Sequence, residues 1–178
     1  MTYVAFEVLL PISLVVTHGL PKALWGVLVI VNPACVAFVQ LRLIRWTAGV
    51  SAATKLAVAL PLMGLPFLLL DISAAIPVVL VVIVLFVVGE MLWIPTSQAA
   101  VAAFAPADIR GAYMGFFGGS WSVAWALGPF LGLQVRQVWG DQTMWLCVAG
   151  VSLLAGAAGA GALRGRRVGP REAVPSAS

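Results

Sequence analysis

Apolar residues fill six segments of the chain, and short clusters of charged residues, glycine and proline separate them. Breaks such as THGLPK, RLIR, APADIR and RQVWGDQ mark where one segment ends and the next begins. Lipid-facing strands would alternate apolar and polar residues over about 10 positions, and most of these segments are longer and continuously apolar. The pattern therefore predicts six helices, over residues 2–16, 24–41, 54–70, 76–104, 111–135 and 144–163.

The first segment differs from the other five. It covers about 15 residues, whereas a helix needs about 20 apolar residues to span a bilayer. It contains Pro11 and, near its middle, Glu7, and it starts at Met1 without a polar lead-in or a basic anchor. We therefore expect a helix whose beginning has been cut off.

Composition defines the environment of these helices. Hydrophobic residues make up 62% of the chain and charged residues only 9%, whereas soluble domains carry about 25% charged residues. Such a chain cannot cover itself with a polar surface, and its 178 residues leave room for six spans of about 20 residues. The sequence thus predicts an all-α membrane protein, with a six-transmembrane-helix bundle over residues 1–163.

The basic residues are distributed unevenly between the two sides of this bundle. The side with two carries Lys22 and Arg136. The other eight are Arg42, Arg45, Lys55, Arg110, Arg164, Arg166, Arg167 and Arg171. Because cytoplasmic loops carry an excess of Lys and Arg, we expect Arg42, Arg45 and Arg110 in cytoplasmic loops. Residues 164–178 are expected to form a disordered, basic cytoplasmic tail of a multi-pass protein of the plasma (inner) membrane.

Small residues recur every four positions in the fifth segment. Gly111, Gly115 and Gly119 form a GxxxGxxxG stripe on one helical face, which permits close approach of two helix backbones. Tight packing within one bundle is the first interpretation, and a moving seam or a dimer interface is the alternative. Later in the same helix, Gly128 and Pro129 predict a kink, because proline removes a backbone hydrogen bond.

Glu90 interrupts one of the most apolar runs of the chain. It lies fourteen positions after Ile76, and so about 21 Å into a hydrocarbon core about 30 Å thick. An ionised carboxylate at that depth is costly, and it must be protonated, face a water-filled cavity or pair with a cation. Protonation or a wet cavity would suit proton coupling. The alternative is a structural carboxyl near the interface, bonded to backbone or to the Thr96–Gln98 end of its helix.

Other polar and aromatic side chains fall at membrane depth. Asn32 and Gln40 are eight residues apart and so share one face of the second helix. Trp121 and Trp125 share a face of the fifth helix, where they form an aromatic wall or serve in packing. The candidates for a proton or substrate pathway are Glu90, Glu7, Asn32, Gln40, Gln98, Trp121 and Trp125.

No catalytic motif is present in the sequence. HExxH, GxSxG, paired CxxC and Walker motifs are absent, and a single histidine gives no basis for a metal site. We therefore expect a protein that is not an enzyme and that needs no cofactor, no metal and no nucleic acid.

These residues resemble the C-terminal half of a major facilitator superfamily transporter, in the branch of the bacterial drug:proton antiporters. The run GEMLWIPTSQAAVAAFAPADIRGAYMGFFGGSWSVAWALGPFLG, residues 89–132, is similar to the family's tenth helix, its cytoplasmic turn and its eleventh helix. The stretch FEVLLPISLVVTHGLPKALWGVLVIVNPACVAFVQLRLIRW is similar to its seventh and eighth helices. The loop RLIRWTAG keeps Arg42, Arg45 and Gly49 but lacks the acidic residue of the family's signature loop.

The resemblance implies one six-helix half of a transporter that works by alternating access. Its partners would be the lipid bilayer, a second half (an N-terminal half or another copy), a small-molecule or drug substrate, and protons. The competing hypothesis is a truncated or split-gene membrane protein that transports nothing and acts only through helix–helix association.

Overall fold

The computed structural model describes residues 2–165, and these residues are almost entirely helical, with no strand among them. Five helices follow one another along the chain: α1 (Thr2–Thr17), α2 (Lys22–Trp46), α3 (Ala52–Asp71), α4 (Ile76–Phe104) and α5 (Arg110–Gly165). The predicted all-α class is confirmed for this part of the chain. The predicted tail lies mostly outside it, since only Arg164 and Gly165 are described, as the end of α5.

Four of these helices, α2 to α5, are long and apolar enough to cross a membrane, whereas α1 is shorter. The predicted bounds of the first four segments agree with α1 to α4 to within a few residues, and those of α4 are identical. The fifth and sixth predicted spans both lie within α5, which consists of two helices that meet at a kink at Gly140. Arg42 and Arg45 lie in the last turns of α2 and Arg110 begins α5, so these arginines are on helix ends instead of in the predicted loops.

Gly140 divides α5 into two arms, residues 110–139 and 141–165. Its backbone has φ 86° and ψ 173°, a conformation that glycine adopts without the steric cost of a side chain. Gly128 and Val151 line one cavity, although 23 residues of straight helix would separate them by about 35 Å. The arms therefore run side by side, and the break at Gly140 takes the place of the predicted loop 136–143.

The helix α1 is wound more loosely than an α-helix in two stretches, Ala5–Leu9 and Ser13–Thr17. There the backbone bonds reach five residues back, as from the His18 N–H to the Ser13 carbonyl at 3.2 Å. Wide turns of this kind are rare and often mark functional segments. They change the angular spacing of side chains on α1, so that its polar residues face more than one neighbouring helix.

Aromatic rings join four helical segments through the centre of the molecule. Phe6 of α1 stacks on Phe86 of α4, with ring centroids 4.1 Å apart. Phe86 contacts Phe67 of α3, which stacks on Trp145 of the second arm of α5 at 5.0 Å. All four rings are buried. Offset and tilted ring pairs of this kind add to the free energy gained from burial alone.

Small residues let α3 approach both of its neighbours. A Cβ at Gly89 of α4 would lie 2.6 Å from the Ala59 carbonyl oxygen, so the two backbones touch there. A Cβ at Gly64 would collide with Ser152, and one at Gly156 would lie 3.0 Å from Pro61. Contacts between α3 and the second arm of α5 thus depend on small residues on both sides.

The GxxxGxxxG stripe does not pack within the described structure. A Cβ added at Gly111, Gly115 or Gly119 would meet nothing within 4 Å, and the neighbouring Phe116 is 85% exposed. The interpretation of these glycines as a packing face inside one bundle is therefore wrong for this chain by itself. Gly128, in contrast, does pack closely, because its Cβ would lie 2.9 Å from the Val4 side chain.

Candidate functional site

Glu90 lies inside the helix bundle and is 7% exposed. The Asn32 side-chain amide donates a hydrogen bond to its Oε2 atom at 3.1 Å, which joins α2 to α4. The Tyr3 side chain of α1 lies next to the same carboxyl. Three helices therefore meet at one carboxyl group.

The local sequence accounts for the position of this carboxyl. Gly89 holds α4 against α3, and the next residue along a helix points about 100° away. Glu90 consequently faces α1 and α2. On α2, Asn32 lies between Ile30, where the helix bends, and Pro33, which has no backbone N–H to donate.

Three aromatic side chains contact Tyr3 next to this carboxyl, and a fourth stacks on one of them. The Tyr3 ring lies 5.9 Å from Phe86, 5.3 Å from Trp121 and 6.3 Å from Trp125, while Trp121 also stacks on Trp93 at 5.1 Å. A cavity of about 180 Å³ opens among Tyr3, Trp93, Trp121 and Trp125. We call Tyr3, Asn32, Glu90, Trp93, Trp121 and Trp125 the Glu90 cluster.

The Glu90 cluster places two kinds of interaction side by side: an aromatic cavity, and a carboxyl that does not line this cavity but lies next to Tyr3, which does. Aromatic faces attract flat organic groups and cations, and a carboxyl can accept a hydrogen bond or carry the opposite charge. No salt bridge involves Glu90 within residues 2–165, where Arg136–Asp141 is the ion pair observed. Of the three environments considered for Glu90, pairing with a cation of this chain is thus excluded for the described residues.

The remaining predicted pathway residues divide into those near the cluster and those away from it. Trp121 and Trp125 belong to the cluster, and Glu7 lies close enough to Glu90 and Tyr3 for electrostatic interaction, on an exposed face of α1. Gln40 and Gln98 each lie eight residues, about 12 Å, beyond Asn32 and Glu90. Neither forms a hydrogen bond with another described side chain.

The alternative interpretation of Glu90 placed its hydrogen bonds at the Thr96–Gln98 end of its own helix. Ser97 instead donates to the Ile94 carbonyl at 3.1 Å, and the carboxyl of Glu90 is bonded to Asn32 on another helix. The structure therefore assigns Glu90 to the contact between helices.

Tyr3 and Trp93 were not among the predicted site residues. Tyr3 is four residues before Glu7, so their shared face of α1 was available as a signal. Trp93 follows Glu90 by three residues and shares its face of α4 in the same way. What the sequence lacked was a pattern to show that these faces meet.

A polar network lies at the other end of α1. The Asp141 carboxylate accepts hydrogen bonds from Ser13 Oγ at 2.6 Å and Thr17 Oγ1 at 2.8 Å. It also forms a salt bridge with the Arg136 guanidinium at 2.6 Å, and Arg136 in turn donates to Thr17 at 2.7 Å. These contacts fasten α1 to the break in α5.

Among residues 2–165 no three His, Cys, Asp or Glu side chains lie together in a way that could hold a metal ion. Comparison with protein-family models, with curated proteins and with solved structures found no match to the chain. The candidate site therefore has to be interpreted from its own geometry.

Proposed function

We propose that this chain is one half of a membrane transporter of the major facilitator type, and that it exports small organic molecules in exchange for protons. The observation that carries this proposal is the Glu90 cluster, in which a buried carboxyl with uncharged partners lies beside an aromatic cavity. Intramembrane carboxyls are costly and usually mark substrate or proton pathways.

The cluster favours a flat, positively charged substrate. Aromatic rings attract a cation through their faces, and this attraction grows when water is excluded. Glu90 supplies the opposite charge once it is ionised. One carboxyl can either bind a proton or pair with an organic cation. The two ligands would therefore compete, and this competition is what exchange transport requires.

A second half is needed because one bundle cannot enclose a path with two openings. The exposed glycine stripe of Gly111, Gly115 and Gly119 supports contact with helices of another chain. Association by itself is also the alternative function, that of a membrane protein without transport activity, so the stripe does not separate the two hypotheses. Measured transport does.

The test is export of ethidium, an organic cation, from energised bacterial cells. We expect no export by the chain alone and restored export on co-expression with the N-terminal half of a bacterial drug:proton antiporter. Glu90→Ala should abolish the restored export, whereas Gln98→Ala, a polar residue of the same helix outside the cluster, should retain most of it. Membrane abundance is measured for every variant. If the chain reaches normal abundance but shows no export, either alone or with the N-terminal half, transport is refuted and the association hypothesis remains.

A further inference from the structure

A second cavity, of about 790 Å³, opens at the end of the bundle where the basic residues collect and reaches inward to Met91, the neighbour of Glu90 in the sequence. Its walls come from the end of α2, the start of α3, the second half of α4 and the end of α5. The volume is within the range of about 300–1,000 Å³ that is usual for small-ligand sites. Nothing in the proposed transport cycle uses this cavity.

The rim of this cavity is positively charged. Lys55 and Arg164 line it, and none of the acidic residues between positions 2 and 165 does. Its floor includes Ala52 and Ala53, whose backbone N–H groups lie in the first turn of α3 and have no partner within the helix. Ser51 caps the same turn by accepting the Thr54 N–H at 3.1 Å. Two cations and a helix N-terminus thus converge where an anion would be stabilised.

The inner wall of the cavity is apolar except for Thr96, and it runs deep. It follows α4 from Phe104 back through Ala99 and Pro95 to Met91, thirteen residues, or about 20 Å of helix. A bilayer leaflet has a hydrocarbon thickness of about 15 Å, half of the core. The cavity therefore carries its charges at one end, and its apolar wall is long enough to match the acyl chain of one lipid leaflet.

We propose that this cavity binds one anionic phospholipid. Its phosphate contacts Lys55, Arg164 and the first-turn amides of α3, and one acyl chain lies against Pro95 and Met91. The proposal shares with the proposed function only the placement of these helices in a bilayer. It does not depend on transport.

The test is binding of phosphatidylglycerol to the full chain in detergent, titrated by native mass spectrometry, with zwitterionic phosphatidylcholine as comparison. The double variant Lys55→Gln/Arg164→Gln should bind phosphatidylglycerol about 30-fold more weakly, as expected for two cations near a headgroup. The matched control Arg42→Gln/Arg110→Gln removes two charges from the same end without touching the cavity, and it should stay within about twofold of wild type.

A second variant tests the apolar wall separately. Ala99→Trp fills the cavity from an exposed position of α4, so it should weaken binding of both lipids while leaving helix content unchanged by circular dichroism. Equal losses in the two double variants, full retention in Ala99→Trp, or displacement by glycerol phosphate as effective as by whole lipid would each overturn the proposal. Lipid binding and ethidium export are separate experiments, so a loss of export with lipid binding intact would refute transport alone.

Discussion

Glu90 accepts a hydrogen bond from an uncharged side chain, Asn32, and lies next to the uncharged Tyr3 in the described part of the chain. A buried salt bridge that loses one partner strands the other and costs about 3–5 kcal/mol. Glu90 has no such partner here, so removal of its charge leaves no cation uncompensated. This separates the effect of the carboxyl on transport from its effect on folding.

We expect Glu90→Gln to insert and accumulate as the wild type does, because glutamine keeps the shape and still accepts the Asn32 hydrogen bond. In the assembled transporter it should lose or shift the pH dependence of ethidium export, since the group that exchanges protons is gone. Abundance on immunoblots and export rates between pH 6 and 8 measure the two effects. Normal abundance with an unchanged pH profile would contradict the role proposed for Glu90.

The complementary change, Asn32→Leu, leaves the carboxyl in place without its amide donor. An unsatisfied buried acceptor costs about 1–3 kcal/mol, so the thermal unfolding temperature in detergent should fall. The double variant Asn32→Leu/Glu90→Leu should recover part of this loss, because both polar groups are then absent. A loss in the double variant equal to the sum of the losses in the two single variants would show that the hydrogen bond is not what couples these residues.

At the scale of the helices, close contact between two helices depends on glycines that lie against the backbone of the neighbouring helix. Gly89→Ala places a methyl group 2.6 Å from the Ala59 carbonyl oxygen, and overpacking of this kind costs about 1–3 kcal/mol. We expect a lower unfolding temperature and less folded protein after detergent extraction.

Gly115→Ala is the matched control, because its Cβ would meet nothing within 4 Å. Alanine favours a helix by about 1 kcal/mol over glycine, so this variant should be as stable as wild type or slightly more so. Its effect should appear only on association with another chain. Equal losses at the two glycines would contradict the packing described for α3 and α4.

The junction between α1 and the break in α5 gives another prediction. Asp141→Asn removes the salt bridge with Arg136 and weakens the bonds from Ser13 and Thr17. Hydrogen bonds to charged groups contribute about 1.5–3 kcal/mol, so we expect a lower unfolding temperature. Asp108→Asn, in the exposed turn between α4 and α5, is the control and should change little.

The sequence was sufficient to predict where helices lie along the chain, but it was insufficient to predict which helices contact one another. Hydropathy marks where apolar segments stop, so the predicted bounds of α4, residues 76–104, are also the observed ones. Periodicity tells which residues share a face but not which faces meet, and so it could not pair Asn32 with Glu90. The glycine stripe shows the same limit, because small residues indicate a face that permits close packing and not whether the partner is in the chain.

At the scale of the whole molecule, a large part of the apolar surface is not covered by this chain. Exposed residues include Phe38, Leu41 and Trp46 on α2 and Phe116 and Phe130 on the first arm of α5. Large apolar side chains exposed in this number on two helices indicate contact with a membrane or a partner protein. Both are required by the proposed function.

The charge distribution predicts how the molecule is oriented in that membrane. A reporter fused after Arg167 should be active only on the cytoplasmic side, and one inserted between Asp71 and Ala74 only on the opposite side. Alkaline phosphatase and green fluorescent protein fusions at the two positions measure this. Activity of both positions on one side would contradict six crossings with the orientation proposed here.

The buried ring of Trp145 has a consequence for how the protein can be observed by light. It is 1% exposed and stacked on Phe67, whereas Trp93, Trp121 and Trp125 border the small cavity beside Glu90. Acrylamide should therefore quench the emission of Trp145 last, and its near-ultraviolet dichroism should vanish only when the bundle melts. A ligand in the small cavity should instead quench the tryptophans that border it. One chain thus carries two intrinsic chromophore groups, one that reports occupancy and one that reports integrity.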